Sequence, residues 1–274
     1  MQFAAVDGFT LHGSLYEGGA GAIVIASALG VKRRYYDAFA QAAVARGYTV
    51  LTFDYRGFGA SEGPRGRLVP VEQVEDAVHA LALLSQRFGL DPKRVGIYGT
   101  SFGGGIAIMA ARRSGIPAAA VVTVPVASGS QWLQSIMRWH EFMDLRKRAI
   151  AAIAGKAATG EMPMVDRFEI MRPDPTTEAR YTDKVPLAIE TFYHVLNHEP
   201  IAEAADLKIP VAVIGVKGDP LVPVDQAIHL HERLGGIKQL HLLEGGDHFV
   251  VYEQALTPVA ERAIAWFDTH LATP

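Results

Sequence analysis

The sequence predicts an α/β fold: a mostly parallel sheet of about eight strands with helices on both faces, interrupted by a helical cap insertion. Three observations carry this prediction. Solid apolar runs at 22–26, 48–53, 119–124 and 211–216 alternate with helical stretches, the pattern of parallel strands buried on both faces. A strand at 94–98 runs into Gly99-Thr100-Ser101-Phe102-Gly103 and then into good helix formers, a strand, sharp turn and helix with one hydroxyl at the apex. The alternation stops only from about 127 to 205, where no buried strand is legible. The expected organisation is therefore a core of 1–126 plus 206–274 and a mostly helical lid of 127–205, too long for a plain connection.

Residues 3–6 and 10–16 alternate apolar and polar around Asp7-Gly8-Phe9, a hairpin signal that predicts an antiparallel pair at one sheet edge. The strand 22–26 leaves through Ser27-Ala28-Leu29-Gly30. A helix comes next over 35–46, with Phe39, Ala42 and Ala43 on one stripe and Gly47 as its stop. The strand 48–53 opens into a glycine-rich loop, 54–63. Val71, Val74, Val78, Leu81 and Leu84 recur at helical spacing and predict a helix over 71–88, closed by Gly89. The helix after the serine turn runs to about 113, and 119–124 is the next strand.

Within the insertion, Trp132, Ile136, Trp139 and Met143 fall at helical spacing. The stripe reads as lid packing, with substrate contact as the sharper alternative. Arg146-Lys147-Arg148 reads as a solvated face, with recognition of an acidic carrier or a carboxylate substrate as its alternative. The stretches Met162-Pro163-Met164 and Arg172-Pro173-Asp174-Pro175 are irregular. Beyond the insertion come a strand at 211–216, a helix over 224–234, a last strand at 239–243 and a closing helix over 258–271. The two strands leave through exit loops at 217–223 and 244–249.

Composition excludes several functions. With 274 residues, 49% hydrophobic and 20% charged, the chain can bury one large core. A formal net charge of −3 gives no basic field for nucleic acid. The absence of cysteine removes disulfides, thiolate catalysis and cysteine metal sites together. The longest apolar run, 118–127, is half of the ~20 residues a membrane span needs, and the N-terminus lacks the pattern of a signal peptide. A soluble, cytoplasmic protein acting on a small molecule is expected, and exposed lid aromatics would suit a homodimer. No metal is expected, because His194 and His198 have i,i+4 spacing but no third ligand. Gly57-Phe58-Gly59 and Gly103-Gly104-Gly105 lack the Lys-Ser/Thr or acidic partner of a phosphate cradle, so no cofactor is expected either.

In an open α/β sheet, ligands bind beyond the carboxyl ends of the strands. Three such ends carry Ser101, Asp219 and His248. Among the rivals, Asp225 falls in the next helix and Asp247 adjoins the histidine. His12, His229, His231 and His241 do not come after the last strand.

The order serine, acid, histidine resembles the α/β-hydrolase superfamily. The match covers the chain outside the insertion. It includes Gly99-x-Ser101-x-Gly103, Asp54-x-Arg56-Gly57-x-Gly59-x-Ser61, Asp219-x-x-Val222-Pro223 and Gly246-Asp247-His248. The resemblance implies a nucleophile at Ser101, a general base at His248 and an orienting acid at Asp219. It implies a backbone oxyanion donor at Phe102 and a second in the loop after the third strand, at Leu29. That loop reads Ser27-Ala28-Leu29-Gly30 instead of the commoner His-Gly start, so the second donor is defined to within one position. The implied activity is cleavage of an ester, thioester or amide of a small to medium acyl substrate, through an acyl-Ser101 intermediate and without a cofactor. The same resemblance covers acyl transfer, carbon–carbon bond hydrolysis, lyases and haloperoxidases. A ligand-binding receptor that keeps the three residues is the reading from another class.

Overall fold

A computed structural model describes residues 1–19, 21–166, 185–252 and 256–271, with 157–159 as backbone only. The Arg172-Pro173-Asp174-Pro175 run lies outside the described residues. The strands are β1 (Gln2–Ala4), β2 (Thr10–Tyr16), β3 (Gly21–Ala26), β4 (Tyr48–Phe53), β5 (Val95–Thr100), β6 (Ala119–Thr123), β7 (Met164–Val165), β8 (Leu187–Ala188), β9 (Val211–Val216) and β10 (Lys238–Leu243). Eight of them form one sheet in the order β1-β2-β4-β3-β5-β6-β9-β10. From β4 to β10 every neighbour is parallel; β1 and β2 pair antiparallel with each other, and β2 pairs antiparallel with β4. β4, β5, β6 and β9 are buried at every position, which is why their apolar runs are continuous.

The helices of the first part of this core are α1 (Asp37–Val44), α2 (Pro70–Arg87) and α3 (Phe102–Ser114), and two more come after β9 and β10. β5 shows how the layers stack. Gly96 faces the ring of Phe267 in the final helix, while Gly99 faces Ala107 of α3. An odd separation along a strand reverses the face. The final helix and α3 therefore cover opposite sides of the sheet.

The Asp54 to Ser61 motif is a structural clamp. Arg56 is buried, and its Nε lies 3.1 Å from both carboxylate oxygens of Asp76 in α2. Its Nη1 reaches Asp7 in the first hairpin at 2.5 Å. A guanidinium buried so deeply needs such partners, since an unpaired one would cost several kcal/mol. Ser61 donates to the Asp54 carbonyl at 2.5 Å and accepts the His12 N–H at 2.9 Å.

Between β6 and β9 lie α4 (Gly129–Ile136), α5 (Trp139–Thr159), α6 (Glu190–Leu196) and α7 (Pro200–Ala204). β7 and β8 pair antiparallel there, and both residues of β8 are buried. The expectation of no buried strand in this stretch is corrected: two residues are too few to show a period. The apolar stripe is also divided. α4 ends at Ile136, Met137 is extended, and α5 restarts at Trp139 with the Glu141 carboxylate accepting the Arg138 N–H at 3.1 Å. Trp132 and Ile136 thus lie on one helix and Trp139 and Met143 on the next. The core resumes with α8 (Asp225–Arg233) and α9 (Leu256–His270). The Gln226 side-chain oxygen of α8 accepts the N–H groups of Ala127 and Ser128, both at 2.9 Å, and so anchors the start of the β6–β9 segment.

Candidate active site

Ser101 sits at φ 56°, ψ −124°, between β5 and α3. Among the described non-glycine residues only Ser101 and Val124 have positive φ, and Val124 directly follows the neighbouring strand β6. Each such residue stores about 1–3 kcal/mol of strain. The flanking glycines are a steric requirement. A Cβ on Gly99 would lie 2.4 Å from the Gly103 carbonyl oxygen, and one on Gly103 would lie 2.2 and 2.4 Å from those of Ala26 and Ser27. The strain is held by hydrogen bonds. The Ser101 N–H donates to Thr123 at 2.8 Å, and its carbonyl accepts from Val126 at 3.0 Å and Gly104 at 2.9 Å.

The three strand-end residues meet. His248 Nε2 lies 2.9 Å from Ser101 Oγ, and His248 Nδ1 lies 2.7 Å from Asp219 Oδ2. The other Asp219 oxygen accepts the N–H groups of Leu221 at 2.8 Å and Val222 at 2.9 Å. All three side chains are buried. With a carboxylate at Nδ1, that nitrogen carries the hydrogen, and the Nε2 lone pair faces the serine hydroxyl. The rival acids are engaged elsewhere: Asp247 accepts the Phe249 N–H at 2.8 Å, and Asp225 is the first residue of α8.

Phe102 opens α3, and its ring packs against His198, with centroids 4.8 Å apart, and Trp132, at 6.3 Å. Leu29 lies in a turn closed by the Val31 N–H on the Ala28 carbonyl at 3.2 Å, with Gly30 at φ 65°. The Ala28 N–H is taken by the Tyr36 hydroxyl at 2.8 Å. Ala28, one position before Leu29, thus gives its N–H to a side chain of the protein. The Tyr36 hydroxyl also meets that of Tyr252 at 3.2 Å. Burial pushes Tyr36 up to about 12 and Tyr252 well above the ordinary tyrosine value, so both stay neutral. Neither tyrosine was a sequence candidate; their only signal was proximity to the two loops they join.

The four apolar candidates do not converge. Trp132 is buried, and its indole N–H donates to the Leu221 carbonyl at 2.6 Å, beneath the Asp219 turn. Ile136 is half-buried. Trp139 and Met143 are 68% and 38% exposed. Arg146, Lys147 and Arg148 are exposed, and Arg148 pairs with Asp144 at 3.7 Å. His198 is buried, its Nε2 has no hydrogen-bond partner among the described residues, and burial lowers its pKa to about 3, so it is neutral. Among the described residues no helix is long and apolar enough to cross a membrane.

A mostly parallel sheet with a strained serine after β5 and a histidine after the last strand is the architecture of an α/β hydrolase. The chain belongs to the family described as serine aminopeptidase, S33, which it matches over residues 19–255. It is similar to an uncharacterized 31.7 kDa protein from the traX-finO intergenic region of Escherichia coli, 28% identical over 88% of both chains. It is also similar to the thiohydrolase aneE of Aspergillus aculeatus, 26% identical over 90% of this chain and 85% of that one. The polyketide transferase af380 of Aspergillus fumigatus is 24% identical, over 99% of this chain and 98% of the other. Among solved structures, the α/β hydrolase GrgF from Penicillium sp. sh18 superposes with a TM-score of 0.86, covering 100% of this chain and 98% of that one at 19% identity.

Proposed function

We propose that the protein is a serine hydrolase that cleaves an ester, thioester or amide through an acyl-Ser101 intermediate. The observation that carries this reading is the buried relay of Ser101, His248 and Asp219, with separations of 2.9 and 2.7 Å. Ser101 Oγ attacks the carbonyl carbon while His248 Nε2 takes its proton. Asp219 fixes the imidazole tautomer and stabilises the imidazolium. The carbonyl oxygen becomes an oxyanion received by the N–H groups of Phe102 and Leu29, each worth about 3 kcal/mol of barrier. The bond to the leaving group then breaks, and that group leaves with the proton from His248. Water, deprotonated by the same nitrogen, releases the acid and restores Ser101. The segment 127–205 acts as the lid, and Trp132 serves the acid turn instead of the substrate. Likeness to a thiohydrolase favours a thioester among the three substrate classes.

Likeness to a polyketide transferase supports a second reading, in which an alcohol or amine replaces water in the second step. Product analysis with and without an added acceptor separates the two. The primary test is reaction with a fluorophosphonate, read out by intact mass. One adduct is expected, on Ser101, and none on Ser101→Ala. A folded wild-type protein that takes no adduct refutes the reading.

A further inference from the structure

We propose that Tyr36 is a positioning residue that ties the loop carrying the second oxyanion donor to the turn carrying His248. The inference rests on the serine-hydrolase reading above. The two segments leave the sheet far apart: β3 and β10 are four places from one another, about 19 Å at ~4.8 Å per strand. They nevertheless meet at one buried point. The Tyr36 hydroxyl accepts the Ala28 N–H at 2.8 Å, one residue before Leu29. At 3.2 Å it also meets the hydroxyl of Tyr252, which shares a single 3-10 turn, His248–Tyr252, with the histidine. The two rings pack edge to face with centroids 5.7 Å apart. Tyr36 is 2% exposed, so the contact is shielded from water.

The arrangement does two things. It occupies the Ala28 N–H, which fixes the orientation of the peptide that precedes the Leu29 donor. It also couples that orientation to the turn that presents the imidazole. An oxyanion donor acts only if it is placed before charge develops. A ring packed without its hydroxyl would fill the same volume and leave the Ala28 N–H without its acceptor. The function lies in the hydroxyl, and Tyr36 itself touches no reacting atom.

The test uses the full chain with p-nitrophenyl butyrate as substrate and a fluorophosphonate as the probe that places oxygen in the oxyanion site. For Tyr36→Phe, kcat and the phosphonylation rate are expected to fall together by about ten- to hundredfold, with KM within about twofold. Tyr252→Phe keeps the bond to Ala28 and should lose less, about threefold. The double variant should be no slower than Tyr36→Phe alone, because Tyr252 acts through Tyr36. A Tyr36→Phe protein that is phosphonylated at the wild-type rate, or altered in KM alone, overturns the inference, as do simply multiplicative losses in the double variant. If Tyr36→Phe does not fold, Tyr252→Phe decides, and an unchanged kcat there overturns it. A wild type that takes no label refutes the serine mechanism and this inference together. A labelled wild type with an unaffected Tyr36→Phe refutes the tyrosine inference alone.

Discussion

Replacing Gly103 with alanine perturbs the proposed oxyanion site without removing any polar group. The new Cβ would stand 2.2 Å from the Ala26 carbonyl oxygen and 2.4 Å from that of Ser27. Real Cβ atoms stay beyond 3.0 Å, so the Ala26 carbonyl must retreat by at least 0.8 Å, the difference between 3.0 and 2.2 Å. Both obstructing atoms are backbone, and they belong to the strand exit that leads directly to Ala28 and Leu29. A forced fit of this kind in a packed core costs about 1–3 kcal/mol. For a chain this long that lowers Tm by about 2–4 °C per kcal/mol. A displacement near 1 Å in a reacting geometry costs about a hundredfold in rate. Calorimetry and the rate of fluorophosphonate labelling measure the two effects separately. Gly155→Ala is the control. It lies in α5 with no described atom within 4 Å of the new Cβ, so it should gain about 0.5–1 kcal/mol and label normally. A folded Gly103→Ala protein that labels at the wild-type rate would refute the argument that strand exit and nucleophile turn are in steric register.

Trp132→Phe removes the indole donor from the Leu221 carbonyl, and a buried acceptor left unpaired costs about 1–3 kcal/mol. Because Leu221 also holds Asp219, kcat should fall about tenfold while KM stays near wild type; a change in KM alone would mean that the indole contacts substrate instead. His198 gives a pH dependence. Its folded pKa of about 3 lies below the unfolded value near 6.5, so the unfolded chain binds the extra proton first. The stability is complete above about pH 6.5 and is lost as pH falls toward 3, with about 2 kcal/mol gone at pH 5. Urea midpoints of His198→Leu should fall less than those of wild type between pH 7 and pH 5, and parallel curves would disprove the assignment.

The parts of the fold that were legible in the sequence are those where burial on both faces forces a continuous apolar run, as in β4 and β9. The serine turn was legible because steric crowding leaves glycine as the residue that fits at 99 and 103. Asp219 and His248 were found because strand ends in a parallel sheet face one edge. The features that escaped did so for physical reasons. A two-residue strand such as β8 has no period to detect. The break at Met137 depends on a side chain capping the next helix, and the residues around it keep helical spacing regardless. Trp132 and Tyr36 do their work through single polar atoms on otherwise apolar rings, so pattern alone files both under packing.

The indole bond of Trp132 has a consequence for recombining this chain with its relatives. Under the proposed function, in which the stretch between β6 and β9 is the lid, that stretch is the unit to transplant when a new acyl preference is wanted. Its first helix, however, carries a donor that the recipient's acid turn uses. A graft cut at 127 and 205 would import a foreign helix α4 and remove that donor, so the chimera would begin with a loosened Asp219 whatever substrate its new walls fit. Grafts should therefore keep residues 127–136 of the recipient and exchange only residues 137–205, with Gln226 and its two backbone partners left as the seam.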